Sequence, residues 1–165
     1  MTDTNLYKNP YDAIKEFMVA ADQLKPDQKQ LSDNNITDED TTLIKLRLQL
    51  ILEEFQELTE AIVSPTVKKL MSVQYNVLNS MIKLIEKEDI MFNKVEVLDA
   101  LVDLEYVLVG AGIAFNLPFQ EGFKIVHDNN MTKVDSETGK CIKDERGKIL
   151  KPSGYLPPDL TVLFK

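Results

Sequence analysis

Polar and apolar positions follow a helical period along most of this chain. Asn9-Pro10 has the form of an N-cap followed by proline at the first helical position, and the spacing after it predicts a first helix over residues 11–24. Residues 25–36 are polar and include Pro26, which reads as loop. Thr37-Asp38-Glu39-Asp40 has the pattern of a capped, acidic first turn. The helix it opens should reach Val63, where Ser64-Pro65 stops it, and a third helix is expected over residues 66–87. Asn93 with Glu96 three residues later starts a fourth, running to Phe115. Asn116-Leu117-Pro118 breaks the chain, and a short helix should follow to Asp128. Beyond Asn130 the pattern changes. Residues 140–143 and 148–151 flank Asp144-Glu145-Arg146-Gly147 and read as two short strands around a turn. A coil with Pro152, Gly154, Pro157 and Pro158 closes the chain. The expected fold class is all-α: a bundle of four to five helices with a small C-terminal β-hairpin. It is read as one domain over residues 1–165, with an N-terminal helix and loop (1–36), a helical core (37–128) and a tail (129–165).

Within the second predicted helix, Leu-Ile-Leu-Glu-Glu-Phe-Gln-Glu-Leu at 50–58 gathers three carboxylates. With Glu53 at zero and about 100° per residue, Glu57 falls near 40° and Glu54 near 100°. Ile51, Phe55, Leu58 and Ile62 lie between about 140° and 200°, the expected core stripe. Leu46, Leu50 and Ala61 share the acidic arc, whereas Gln49, Gln56 and Glu60 suit a solvated face. Glu54 and Glu57 are therefore expected in a partly enclosed place, where carboxylates need partners. The fourth helix repeats the theme. From Glu96 to Phe115 its polar side chains are Glu96, Asp99, Asp103, Glu105 and Tyr106, so it should be buried nearly all round. Glu96, Asp99 and Asp103 fall within about 60° of one another, and Gly110 and Ala114 continue that stripe, where small residues allow close approach. Glu105 points away. Two acidic stripes facing each other would repel; a hard divalent cation with oxygen ligands resolves the conflict.

Composition narrows the classes. The chain has 165 residues and a net charge of −8, which disfavours a nucleic-acid surface built on phosphate contacts. Cys141 is the single cysteine, so neither an intrachain disulfide nor a cysteine-rich zinc site can form. The first residues lack a signal-peptide pattern, and no apolar run is long enough to span a membrane. A cytoplasmic protein is expected, without nucleic-acid or membrane partners.

Glu53-Glu54-x-x-Glu57, with an acidic pair opening a later apolar helix, resembles the all-α nucleoside triphosphate pyrophosphohydrolases. That superfamily takes in MazG-like proteins, all-α dUTPases and dCTPases, and phosphoribosyl-ATP pyrophosphohydrolase. The segment 99–110, DALVDLEYVLVG, is similar to its second metal helix, and residues 126–133 with 147–152 look like the tail of a phage and bacterial MazG-like branch. The resemblance spans roughly residues 41–159 and leaves out the first helix. It implies hydrolysis of a nucleoside triphosphate to monophosphate and pyrophosphate. It also implies Mg²⁺, with Mn²⁺ as a substitute, held by Glu53, Glu54, Glu57, Asp99 and Asp103, and assembly as a homodimer or homotetramer. The second motif departs from the family pattern, Glu-x-x-Asp, because Ala100 stands where its glutamate would be when counted back from Asp103. Asp99 with Asp103 is one reading, and Glu96-x-x-Asp99 is the other. Glu96 then serves as a ligand or as a group behind the ligands. Glu54 is the candidate general base.

Phosphates also call for positive donors. Lys133 is the first candidate, with Asn130 beside it, then Lys148 and Lys151 on the predicted hairpin. Arg47, near 120° on the Glu53 helix, could reach phosphate, although a salt bridge to Glu54 accounts for it equally well. His127, the one histidine, reads as a helix-end residue. Met71, Met81 and Met91, ten apart, read as packing, and so do Tyr75, Phe92 and Tyr106. The third helix, with Leu70, Val73, Val77, Leu78, Met81, Ile82 and Ile85, is broad enough in its apolar surface to pack on two sides. Two other classes stay open: a phosphoribosyl-ATP-type pyrophosphohydrolase, and a non-catalytic helical protein whose acidic face binds a basic partner.

Overall fold

The computed structural model describes residues 9–24, 31, 36–145 and 148–165. Among them are five α-helices, α1 (Pro10–Ala20), α2 (Asp38–Ile62), α3 (Pro65–Leu84), α4 (Lys94–Ala114) and α5 (Phe119–Met131), with single 3-10 turns at Lys87–Asp89 and Leu160–Phe164. No described helix is long and apolar enough to cross a membrane. Most of the expected 25–36 loop and the Arg146-Gly147 turn lie outside the described residues.

The chain divides into two compact units, Gln30–Leu101 and Met1–Lys29 with Val102–Lys165, and α4 runs across the division. In the first unit, Thr37 opens α2 through a capping box: its hydroxyl accepts from the Asp40 N–H, and the Asp40 carboxylate accepts from the Thr37 N–H at 2.9 Å. Val63 and Ser64 are extended, Pro65 starts α3, and α3 packs back along α2. The seam is polar. The Lys45 ammonium donates to the carbonyls of Lys83 (2.7 Å) and Ile85 (2.8 Å), satisfying the open end of α3. Gln49 donates to Asn79 at 2.8 Å, and Gln56 bridges Glu60 and Ser72.

This seam reverses the expected orientation of α2. Gln49, Gln56 and Glu60, expected in solvent, are half-buried, whereas the expected core stripe is exposed, with Phe55 at 52% and Ile62 at 63%. The reason is that α2 turns its amide-bearing arc to α3, where hydrogen bonds can form, and leaves the apolar arc uncovered. α4 is also exposed along almost its whole length, with Gly112 its one buried residue, rather than buried all round. Asn93 caps it as the spacing predicted, accepting from the Val95 and Glu96 N–H groups.

In the second unit, Asn9 caps α1 by accepting from the Tyr11 N–H at 3.1 Å, with Pro10 in the first turn. The helix ends on Asp22 at φ 49°, with Gln23 N–H bonded to Met18 O and Asp22 N–H to Val19 O. α4 ends in the same way on Asn116 (φ 53°), with Leu117 N–H bonded to Gly112 O and Asn116 N–H to Ile113 O. Both are Schellman ends with a left-handed residue at the position glycine usually takes. The second one folds α5 back so that Phe119 meets Gly112, where an added Cβ would lie 3.0 Å from the Phe119 ring. Gly110, expected to be the close-approach glycine, has nothing within 4 Å of such a Cβ.

The tail corrects the hairpin expectation. Among the described residues there is no strand, only isolated antiparallel bridges at Val134–Cys141 and Lys143–Ile149. Two bonds cross between the expected hairpin segments, Asp144 N–H to Lys148 O at 2.9 Å and Leu150 N–H to Ile142 O at 2.8 Å, while other donors go elsewhere. Cys141 N–H bonds to Ala20 O on α1 at 2.8 Å, and Lys148 N–H bonds to the Asp144 carboxylate at 2.9 Å. Lys140 joins the same helix end, donating to Val19 O and to Asp22, whose carboxyl this bond holds below the usual carboxylate range. Cys141 is buried with Ala20 and Ala21, and burial pushes its thiol pKa up.

Gly112→Ala should cost about 1–3 kcal/mol through the overlap with Phe119. Gly110→Ala should be neutral or stabilising by up to about 1 kcal/mol, since it removes a helical glycine in open space. Urea denaturation followed by circular dichroism compares the two.

Candidate functional site

On α2, Glu53, Glu54 and Glu57 are exposed and lie within one turn. They feel one another. The Glu54 pKa stands above its ordinary 4.5, first because neighbouring side chains strip part of its hydration, then through the charges of Glu57 and Glu53. Leu50 and Leu58, one turn to either side, are the apolar neighbours the helical spacing gives it. Arg47 lies on the same helix, half-buried.

On α4, Glu96 and Asp99 stand in the first two turns and Asp103 one turn further on; all three are exposed. Among the described residues, no group of three or more His, Cys, Asp or Glu side chains closes to metal-holding distances. The donors are all hard oxygens, with neither histidine nor thiolate among them, and that chemistry fits Mg²⁺ or Mn²⁺.

The tail gathers the expected cations more closely. Lys133, just past α5, donates to the Asn130 side chain at 2.7 Å, and its ammonium lies 5.5 Å from the centre of the Tyr155 ring. The Lys151 ammonium lies 5.1 Å from the same ring. Asn129 fixes the arrangement to α5: its carboxamide oxygen accepts from the Tyr155 hydroxyl at 2.6 Å, and its NH₂ donates to Leu156 O at 2.7 Å. Lys148 is exposed, with its backbone rather than its ammonium tied to Asp144. Sequence reasoning missed Tyr155 and Asn129. A signal existed in Lys-Pro-Ser-Gly-Tyr at 151–155, a turn sequence that returns the residue after it toward the residue before it. His127 stacks on Phe123, one turn earlier on α5, with centroids 6.1 Å apart.

A sequence profile of the phosphoribosyl-ATP pyrophosphohydrolase family matches residues 14–130, well over half of the chain. The chain belongs to this family. With it, the chain joins the all-α nucleoside triphosphate pyrophosphohydrolase superfamily and is a hydrolase acting on pyrophosphate bonds. Family membership sets aside the non-catalytic interaction protein. The match takes in α1, which the sequence resemblance had left out, and all five carboxylates expected to hold the metal; it stops before Lys133. No curated protein matches the chain. A crystal structure from Exiguobacterium sp. 255-15, described provisionally as an NTP pyrophosphohydrolase, is similar in fold. It has a TM-score of 0.59 and 24% identity, over 93% of this chain and 90% of that one.

In metal-free protein, Glu57→Gln should bring the Glu54 pKa down toward 4.5, as read by an NMR titration of the side-chain carboxyls. A raised carboxyl pKa makes the ionised form the costlier one in the fold, so stability falls as pH rises through it. The same substitution should therefore stabilise the metal-free protein at neutral pH.

Proposed function

We propose that this pyrophosphohydrolase cleaves a nucleoside triphosphate to the monophosphate and pyrophosphate with Mg²⁺. The observation that carries the reading is the α2 carboxylate set, in which partial desolvation first and then the charges of Glu57 and Glu53 lift Glu54, a strain that a bound cation would relieve. Glu53, Glu54 and Glu57, with Asp99 and Asp103, would hold the ion; Glu96 stands close to them in sequence. Bound there, it would neutralise phosphate charge and assist water attack on phosphorus. Glu54, whose pKa is raised, takes the proton of the attacking water. Lys133 with Asn130, Lys151, Lys148 and Arg47 would supply positive and polar contacts to the phosphates, including the leaving pyrophosphate. The similar structure is described as an NTP pyrophosphohydrolase, which favours a nucleoside triphosphate.

Assembly as a homodimer or homotetramer is part of this proposal. Among the described residues the buried apolar set is Ala13, Ala20, Ala21, Ile36 and Cys141, and no large side chain is fully buried. The uncovered apolar arcs of α2, α3 and α4 suit a second copy, which would also enclose the neighbouring carboxylates. Phosphoribosyl-ATP is the second reading for the substrate, favoured by the description of the matching family.

A panel of ribo- and deoxyribonucleoside triphosphates plus phosphoribosyl-ATP, assayed for pyrophosphate release with and without Mg²⁺, decides the substrate. Metal-dependent release from one or two triphosphates, lost in Asp103→Ala, is the expected result; release from phosphoribosyl-ATP alone would replace it. Glu54→Gln should lower kcat by about 10²–10⁴-fold while calorimetry still detects metal binding. Near-normal turnover would remove Glu54 from that role. Light scattering after size exclusion should give a dimer or tetramer mass at micromolar concentration, and a clean monomer would refute the assembly.

A further inference from the structure

Two ammonium groups rarely share one aromatic ring without a reason. Here Lys133, from the end of α5, and Lys151, from the tail, lie 5.5 Å and 5.1 Å from the centre of the Tyr155 ring. The ring face attracts each cation, while the two cations repel each other. Among the described residues, neither ammonium is engaged by a carboxylate, in a chain that carries a net charge of −8.

The arrangement is built. Tyr155 N–H bonds to Pro152 O at 3.0 Å, closing a four-residue turn with Gly154 at φ 77° in its third position, which is the geometry of a type II turn. That turn brings Tyr155 back beside Lys151. The Tyr155 hydroxyl and the Leu156 carbonyl are both held by Asn129, so the ring is fixed to α5 at the end from which Lys133 projects. Asn130 holds the Lys133 ammonium from the other side at 2.7 Å. A free lysine loses rotamer freedom when it grips an anion; lysines already held against a ring lose less.

We infer that Tyr155 is a positioning residue that holds Lys133 and Lys151 as a paired clamp for the pyrophosphate part of the substrate. The clamp rests on the pyrophosphohydrolase reading for its role in turnover, but not for its binding of the anion. Tyr155 touches no phosphate itself. Its ring sets where the two charges stand, and its hydroxyl only anchors the ring to α5.

The test is calorimetric titration of inorganic pyrophosphate into the full chain in buffer free of divalent cations. Wild type, Tyr155→Phe and Tyr155→Leu are compared, with melting curves as a check of folding. Tyr155→Phe keeps the ring and loses only its anchor to Asn129, so it should bind more weakly than wild type but more tightly than Tyr155→Leu. Tyr155→Leu loses the ring and should bind about five- to tenfold more weakly at an unchanged melting temperature. In turnover, Tyr155→Leu should raise KM with kcat little changed. Wild-type protein that does not bind pyrophosphate overturns the inference. So does Tyr155→Leu with wild-type affinity, or Tyr155→Phe as weak as Tyr155→Leu. If Tyr155→Leu does not fold, Lys151→Met and Lys133→Met decide: each must weaken pyrophosphate binding, and wild-type affinity in either breaks the pair. Tyr155-dependent pyrophosphate binding by a protein that hydrolyses no tested substrate would remove the activity reading and leave the clamp. Hydrolysis by a protein whose pyrophosphate affinity ignores Tyr155→Leu would remove the clamp alone.

Discussion

Uncovered apolar surface on the long helices is the constraint from which the rest of this structure follows. α2 spends its amide-bearing arc on α3, through Gln49 with Asn79 and Gln56 with Ser72 and Glu60, and the stripe of Ile51, Phe55, Leu58 and Ile62 stays exposed. α4 carries Leu101, Val102, Val107 and Leu108 in the open as well. Exposed apolar surface of that kind marks interaction sites, ligand grooves or aggregation-prone faces. In the proposed assembly, the side chains that need covering stand beside Glu53, Glu54 and Glu57. One event would then bury the helices, strip more water from the carboxylates and strengthen their demand for a cation. In the single chain the Glu54 pKa is already raised, first by partial desolvation and then by the charges of Glu57 and Glu53.

The tail answers a different need. Helix ends leave carbonyls without partners, and the tail supplies donors to the end of α1: Cys141 N–H to Ala20 O and the Lys140 ammonium to Val19 O. With Cys141 N–H committed to α1, the two segments read as a hairpin meet only around the Lys143–Ile149 bridge, through Asp144 N–H to Lys148 O and Leu150 N–H to Ile142 O, and no strand is described there. Further on, Asn129 holds Tyr155 and Leu156 against α5. The outcome is a tail whose lysines are placed by its docking on helices rather than by strand register.

Local chemistry was legible residue by residue. Asn9-Pro10, Thr37 with Asp40 and Asn93 cap helices as their spacing indicates, and Ser64-Pro65 and Asn116-Leu117-Pro118 end them. The clustering of Glu53, Glu54 and Glu57 was legible for the same reason, because residues within one turn of a helix are neighbours whatever the helix packs against. Lys133, Asn130 and Lys151 could be named from their type, but their shared ring could not, since Tyr155 reaches them only after a turn and two hydrogen bonds to Asn129.

Periodicity states which side chains share a face; it does not state what that face meets. The amphipathic pattern of α2 therefore gave its arcs correctly and their surroundings wrongly, because a polar arc can be satisfied by another helix as well as by water. Likewise, the stripe on α4 pointed to Gly110 as the close-approach glycine, whereas the Schellman end at Asn116 swings Phe119 onto Gly112. The sequence by itself determined the helices, the caps that open them and the acidic sets, which depend on neighbours within about a turn, and its motifs along the chain pointed to the family. Only the tertiary structure decided which arc of α2 is covered, where the tail's donors go and which aromatic ring organises the lysines. Those depend on contacts between residues far apart in the chain, where several partners offer similar local chemistry and the final packing selects among them.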